Sequence, residues 1–376
     1  MNKIVYITAG EQSGDLLGSE VIKHLKASIP DVVTKGIGGE MMTGAGLIPV
    51  FRTEQLGFMG FFELIKHAFV IRKAFRTVLK SIIADKPSVV LMIDFSEFHI
   101  KLAKKIKKML PETKIIKYVC PQIWASRESR IKDIVEYYDC LCCILPFEPE
   151  LFRNELIDCR YVGHPLMDKY KTGLGFSEFC EKFGLSEDKT LISVFPGSRE
   201  QEVKKHLPVL RDYFRKISTR DDIQIAACRS GNIKEETFGD ADLPSQVKII
   251  SSEYQWDIME HSGIVLCKSG TSTLQTAITK TPSIVFYKVN PLSFYIAKKI
   301  VKTKFISLPN IIAGKQINPE LIQSDFTSEA LLKETDKLLN NEDIYQMRKN
   351  ELGLVRDALG GTGAGNKVAQ AVIDYI

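Results

Sequence analysis

IVYITAGEQSGD, residues 4–15, is an apolar run that breaks at a small-residue turn, and LISVFPGSRE, residues 191–200, repeats the plan at the start of the second half. Each reads as a buried strand, a glycine-hinged turn and then a helix. That geometry aims backbone N–H groups and a helix N-terminus at whatever sits above the strand, which suits phosphate or another anion. Two such units predict an α/β chain of two nucleotide-fold domains with parallel sheets facing one cleft.

The rest of the sequence follows the same rhythm. Apolar runs at Ile4–Ile7, Val89–Ile93, Ile115–Val119, Leu141–Leu145, Leu191–Phe195, Ile223–Ala227, Gly263–Cys267 and Ser283–Tyr287 alternate with stretches of helical period such as Leu17–Ala27 and His99–Met109. Alternation of this kind predicts Rossmann-like parallel sheets. At 376 residues the chain exceeds one ordinary core. The polar, glycine-containing Met167–Gly175 reads as a linker, so the expected divisions are 1–166, 167–342 and a helical 343–376 that packs late, back across the junction.

Composition excludes several classes. The chain is 44% hydrophobic and 26% charged, with a formal net charge of +5, a mild balance that permits phosphates or anionic lipid and does not call for nucleic acid. No apolar run reaches the roughly 18 residues of a membrane span, and the first run is too short for a signal peptide. The expectation is a cytoplasmic protein with reduced cysteines. Cys140 and Cys143 form a C-x-x-C inside a continuous apolar run, which reads as a buried strand rather than a metal or redox site.

The stretch 58–83 has a face of Phe61, Leu64, Ile65, Ala68, Ile71, Phe75, Leu79 and Ile82, with Phe62 and Phe69 at its margin among Lys66, Lys73, Arg76 and Lys80. An aromatic margin interleaved with cations fits a helix on an anionic membrane surface. The same pattern fits an ordinary amphipathic helix with snorkelling lysines.

Asp94 ends the run Val89–Ile93 and opens DFSEFH, residues 94–99. A carboxylate beyond the C-terminal end of a parallel strand can take a proton from a substrate hydroxyl, or simply cap the next helix. Glu97 and His99 are alternative bases. Gly197, Ser198 and Arg199 make an anion-binding turn in which the arginine can bridge phosphate oxygens, unless it is a solvated surface arginine. Lys268, Ser269, Gly270, Thr271, Ser272 and Thr273 make a second such turn ahead of Gln275. Neither is a Walker loop, and Gly10–Gly14 lacks the G-x-G-x-x-G of a dinucleotide site. No metal-site motif is present, so no metal is expected.

Together with GIGG (36–39), MGFFE (59–63), YVCPQIWASR (118–127), LPFE (145–148), VGHPL (162–166) and SLPNII (307–312), these strings fall in an order that resembles bacterial lipid-A-disaccharide synthases over about residues 3–330. The resemblance implies a GT-B glycosyltransferase fold, with an N-terminal acceptor domain and a C-terminal UDP-sugar domain. It implies transfer from UDP-2,3-diacylglucosamine to 2,3-diacylglucosamine 1-phosphate, with inversion and without metal or other cofactor. By the same resemblance Asp94 is the base and Glu11 the acidic residue of the first turn, with Gln12, Ser13 and Gly14 on the acceptor side. Arg199 and Asn310 are donor-side polar residues, the turn 269–273 holds the diphosphate, and Gln275 stands at the ribose. Lipid substrates favour the membrane reading of Phe61, Phe62, Lys66, Phe69 and Lys73, with peripheral attachment to the inner face of the cytoplasmic membrane.

The chain departs from the family's D-x-P-D-F-[NH] at residues 94–99, and has Gln275 where the family usually has Glu. Two alternatives remain open at this point: a UDP-sugar 2-epimerase of the same fold, and a non-catalytic UDP-sugar-binding paralogue.

Overall fold

The computed structural model describes residues 3–56, 64–125 and 130–376. Phe61 and Phe62 lie outside the described residues, as does the side chain of Lys66. The chain divides into two compact units, Met1–Asp168 with Leu359–Ile376, and Lys169–Ala358.

In the first unit β1 (Ile4–Ala9), β2 (Val33–Gly38), β3 (Ile48–Arg52), β4 (Val89–Ile93), β5 (Lys114–Tyr118), β6 (Cys140–Cys143) and β7 (Asp158–Tyr161) form one parallel sheet in the order β3-β2-β1-β4-β5-β6-β7. In the second, β8 (Thr190–Phe195), β9 (Ile223–Arg229), β10 (Val247–Ser251), β11 (Ile264–Lys268), β12 (Ser283–Tyr287) and β13 (Glu320–Ile322) form a parallel sheet in the order β10-β9-β8-β11-β12-β13. Both sheets reverse strand order once, between β1 and β4 and between β8 and β11. Those are the points where an open α/β sheet leaves a crevice beyond its strand ends.

The central strands are apolar throughout because helices cover both faces. Val5, Ile7 and Ala9 point to a core shared with the helices Gln12–Ser28 and Ala364–Ile373, while Tyr6, Val90 and Met92 point to one shared with Leu64–Asp85 and Ser96–Met109. The same period of two separates the C-x-x-C, since Cys140 faces the first core and Cys143 the second. All eight cysteines are free thiols.

The C-terminal segment is shared between the units: helix Glu342–Ala358 packs within the second, and helix Ala364–Ile373 lies against Gln12–Ser28 in the first. The glycine-rich turn between them lets the chain leave one unit and complete the other's sheet cover. Helix Leu64–Asp85 buries Ala74, Val78 and Ile82, with Val70, Ile71, Phe75 and Leu79 half-buried, whereas Ala68 is exposed. Ile71, Phe75, Leu79 and Ile82 of the expected face thus lie on the buried side, which is rotated from that face to take in Val70, Ala74 and Val78. Its far end is pinned where Tyr6 Oη lies 2.5 Å from Ser81 Oγ and donates to Asp85 at 2.6 Å, the same carboxylate that Lys35 meets at 2.8 Å.

Candidate active site

At the first switch point β1 and β4 run in register, Ala9 beside Ile93, so the turns after them are neighbours. A Cβ on Gly10 would fall 2.3 Å from the Phe95 ring, which is why this position has none. Glu11 caps the helix Gln12–Ser28 with extended backbone, and Glu11, Gln12 and Ser13 are exposed while Gly14 is buried. Asp15, unassigned by its sequence context, is buried and accepts from the N–H groups of Gly39 (2.6 Å), Met41 (3.0 Å) and Met42 (3.2 Å). It fastens the GIGG turn to the first helix.

Asp94 is exposed, and both it and Phe95 take φ of +49°, a left-handed conformation that costs a non-glycine residue roughly 1 kcal/mol or more. Hydrogen bonds turned inward hold it there. Its N–H donates to the Tyr118 carbonyl at 3.0 Å, and its carbonyl accepts from Lys117 Nζ and lies 2.6 Å from His99 Nδ1. A carbonyl only accepts, so Nδ1 carries the proton. Nε2 then accepts from the Thr8 hydroxyl at 3.0 Å. Lys117 and His99 are wholly buried. Burial, and then the charge of Lys117, hold the His99 imidazole well below its usual range, and burial pushes the Lys117 ammonium down to about 7.

This arrangement separates the three candidate bases. His99 is sealed inside as a neutral ring, and Glu97 is paired with Arg130. Asp94 alone of the three presents its carboxylate at the sheet edge with no hydrogen-bond donor among the described residues.

At the second switch point Phe195 stands beside Cys267. Gly197 turns the chain at φ +127°, a region that favours glycine, and Ser198 and Arg199 are exposed at the start of helix Glu200–Ile217. Glu202 faces both cations of the site, 3.6 Å from Arg199 and 3.2 Å from Lys268. Gly197, Ser198, Lys268, Gly270, Thr271 and Ser272 line a cavity of about 270 Å³, and helix Thr271–Thr279 begins at its wall. N–H groups of that first turn, Lys268, the Arg199 that shares Glu202 with it and two helix N-termini are a set that can hold an anion. Ser230, Ser252 and Gln255, which follow β9 and β10, also line it. The sequence signal for them was only their place after strand ends.

The hydroxyls of two further expected donor residues bond within the protein. Ser269 donates its hydroxyl to the Ile306 carbonyl (2.8 Å) and Thr273 to that of Gly270 (2.7 Å), so both shape the turn. Gln275 is buried on the helix behind it. Asn310 closes a loop in this structure. It is fully buried, donates to the Asn318 carbonyl and Glu320 (both 2.8 Å), and accepts from the N–H groups of Ile317 (2.8 Å) and Asn318 (2.9 Å). All four amide positions are used within the protein. His206 was missed: buried, it lies 2.8 Å from the Pro196 carbonyl and accepts from the Lys288 N–H at 3.2 Å, which ties the arginine turn to the end of β12.

On the helix Leu64–Asp85, Phe69 is 72% exposed in the company of exposed Arg72, Lys73, Arg76 and Lys80. Among the described residues no helix is long and apolar enough to cross a membrane, and no three His, Cys, Asp or Glu side chains are grouped to hold a metal ion.

The family model described as lipid-A-disaccharide synthetase matches residues 5–371. The lipid-A-disaccharide synthase of Coxiella burnetii (strain RSA 331 / Henzerling II) is 34% identical over 376 residues, covering 100% of this chain and 99% of that protein. Among solved structures, the glycotransferase of kitacinnamycin matches with a TM-score of 0.64 at 12% identity, over 99% of this chain and 98% of that one. The UDP-GlcNAc 2-epimerase of Neisseria meningitidis bound to UDP-GlcNAc matches with a TM-score of 0.62 at 10% identity, over 99% of this chain and 100% of that one. The structural likenesses carry the GT-B fold alone.

Proposed function

The chain belongs to the lipid-A-disaccharide synthetase family, a glycosyltransferase family of lipid A synthesis, and from that premise we propose a specific reaction for it. The enzyme transfers 2,3-diacylglucosamine from UDP-2,3-diacylglucosamine to 2,3-diacylglucosamine 1-phosphate, with inversion, giving the β-1,6-linked disaccharide 1-phosphate and UDP.

Asp94 takes the proton of the acceptor's 6-hydroxyl as that oxygen forms its bond to the donor C1. The bond from C1 to the diphosphate oxygen breaks on the opposite face, and its electron pair leaves with UDP. A sugar hydroxyl is a weak nucleophile, and a positioned carboxylate accelerates such a step by roughly two to four orders of magnitude. Glu11, exposed in the adjoining turn, binds acceptor hydroxyls beside Gln12 and Ser13. Arg199, Lys268 and the N–H groups at 270–272 stabilise the growing charge on UDP, and no step calls on a metal or cofactor.

The observation that carries the reading is Asp94 itself, exposed at a topological switch point while buried Lys117 and His99 grip its carbonyl. Attachment to the inner face of the cytoplasmic membrane belongs to the same reading, and exposed Phe69 among basic residues supports it. Purified protein given both lipid substrates is expected to yield the disaccharide 1-phosphate by mass spectrometry. A C2-epimerised UDP-sugar, or no turnover with retained UDP binding, would replace this reading with one of the two alternatives.

A further inference from the structure

Between Glu260 and Glu320 the sequence holds eight lysines, no arginine and no acidic residue, so the rest of the chain is formally −3. Four of the eight, Lys298, Lys299, Lys302 and Lys304, crowd the end of helix Pro291–Ile300 and the residues just after it, and all four are exposed. Large apolar side chains stand exposed among them: Tyr295 at 58%, Ile300 at 49% and Val301 at 40%. Lys299 Nζ lies 4.4 Å from the Tyr295 ring centre, and Lys304 Nζ lies 5.5 Å from that of Phe305.

A scattered exposed leucine needs no explanation, but aromatic and aliphatic side chains gathered among like charges do. Nothing acidic lies nearby in the sequence to pair with a basic protein partner's counterpart, and the surface repels another copy of itself. Lysines that reach headgroup phosphates while a tyrosine and aliphatic groups enter the interface describe an element lying on an anionic bilayer.

The element also has a link to the donor site. It follows β12, whose neighbour β11 leads into the turn 268–273, and the Ser269 hydroxyl of that turn donates to the carbonyl of Ile306 at 2.8 Å, immediately beyond the basic run.

We propose that helix Pro291–Ile300 and residues 301–305 form a lipid-surface contact of the second unit, which seats the donor-binding turn at an anionic bilayer face. This rests on the lipid-substrate reading above, and is separate from the expected contact through Phe69 in the first unit.

The test is cosedimentation of the full chain with phosphatidylglycerol/phosphatidylethanolamine vesicles and with phosphatidylcholine vesicles. Two variants are compared with wild type: Tyr295→Ser with Ile300→Ser and Val301→Ser, and Lys298→Gln with Lys299→Gln and Lys304→Gln. Wild type is expected to sediment with the anionic vesicles. Each variant is expected to lose at least fivefold in partitioning while its melting temperature and its turnover on detergent-dispersed substrate stay as in wild type. The lysine variant alters charge alone, so it still reports if the serine variant misfolds. Variants that sediment like wild type overturn the proposal and leave the peripheral reading intact, whereas wild type that ignores anionic vesicles overturns both. Unchanged sedimentation with a shift of the serine variant to a smaller species in light scattering would make the face a contact between copies, which also overturns it.

Discussion

His99 Nδ1 lies 2.6 Å from the backbone carbonyl oxygen of Asp94, five residues earlier, and both partners of that bond depend on a third residue, Lys117, which reaches the same oxygen from β5. The carbonyl is held inward, so the carboxylate is held outward. His99→Leu is expected to lower kcat about ten- to hundredfold with little change in the donor KM, because a small misplacement of a base is costly in rate. His99→Asn keeps an amide N–H and is expected to recover most of the loss. Equal kcat in the leucine variant would make the ring mere filling.

Much of the fold was legible because its strands are buried on both faces. Leu191–Phe195 and Val89–Ile93 are short, predominantly apolar and flanked by turn residues, a combination that reads as covered parallel strands. The edge strands β3, β7, β10 and β13 were not, nor was β2, since runs such as Asp158–Tyr161 carry polar residues and look like loops until paired. Asp94, Arg199 and Lys268 were legible from their places after strands. Lys117 and Asp15 were not, because the groups they serve are brought to them only by the sheet. The loop-closing bonds of Asn310 were not legible either, because a polar residue in a distinctive string looks the same whether it faces a ligand or closes a buried loop.

That difference is measurable. Asn310→Ala leaves the Ile317 and Asn318 N–H groups without their acceptor, and is expected to destabilise the protein on the order of 3 kcal/mol in denaturant unfolding. Arg199→Ala, at an exposed side chain, is expected to leave stability nearly unchanged, raise the donor KM and lower kcat. An Asn310→Ala variant of normal stability with a raised donor KM would return Asn310 to the donor site.

The buried histidines make one contribution to stability that falls on mild acidification. His99 and His206 are buried, and burial lowers both imidazoles from their usual range. Below pH about 6.5 the unfolded chain takes up protons at these positions that the folded chain does not, so acid favours unfolding until the folded pKa values are reached. Burial raises the Glu148 carboxyl to about 7, which acts in the opposite sense over the same range, so the test is a difference: between pH 7.5 and pH 5.5 the urea midpoint of His206→Gln is expected to gain on that of wild type. A difference between the two proteins that stays constant over that range would mean that the His206 ring titrates alike in the folded and unfolded chains.

Phe69 projects from helix Leu64–Asp85 without joining its buried line. Phe69→Ser is therefore expected to leave the melting temperature unchanged and to reduce activity on bilayer-presented substrate more than on detergent-dispersed substrate. Equal activity in both formats would remove Phe69 from the membrane contact.

The account turns on Asp94 as the base. Asp94→Asn preserves size and leaves the backbone grip of Lys117 and His99 in place, so single-turnover formation of the disaccharide 1-phosphate, followed by mass spectrometry at saturating substrates, isolates the carboxylate. The account predicts a rate lower by roughly two to four orders of magnitude with UDP affinity unchanged. A near-normal rate in Asp94→Asn would contradict it.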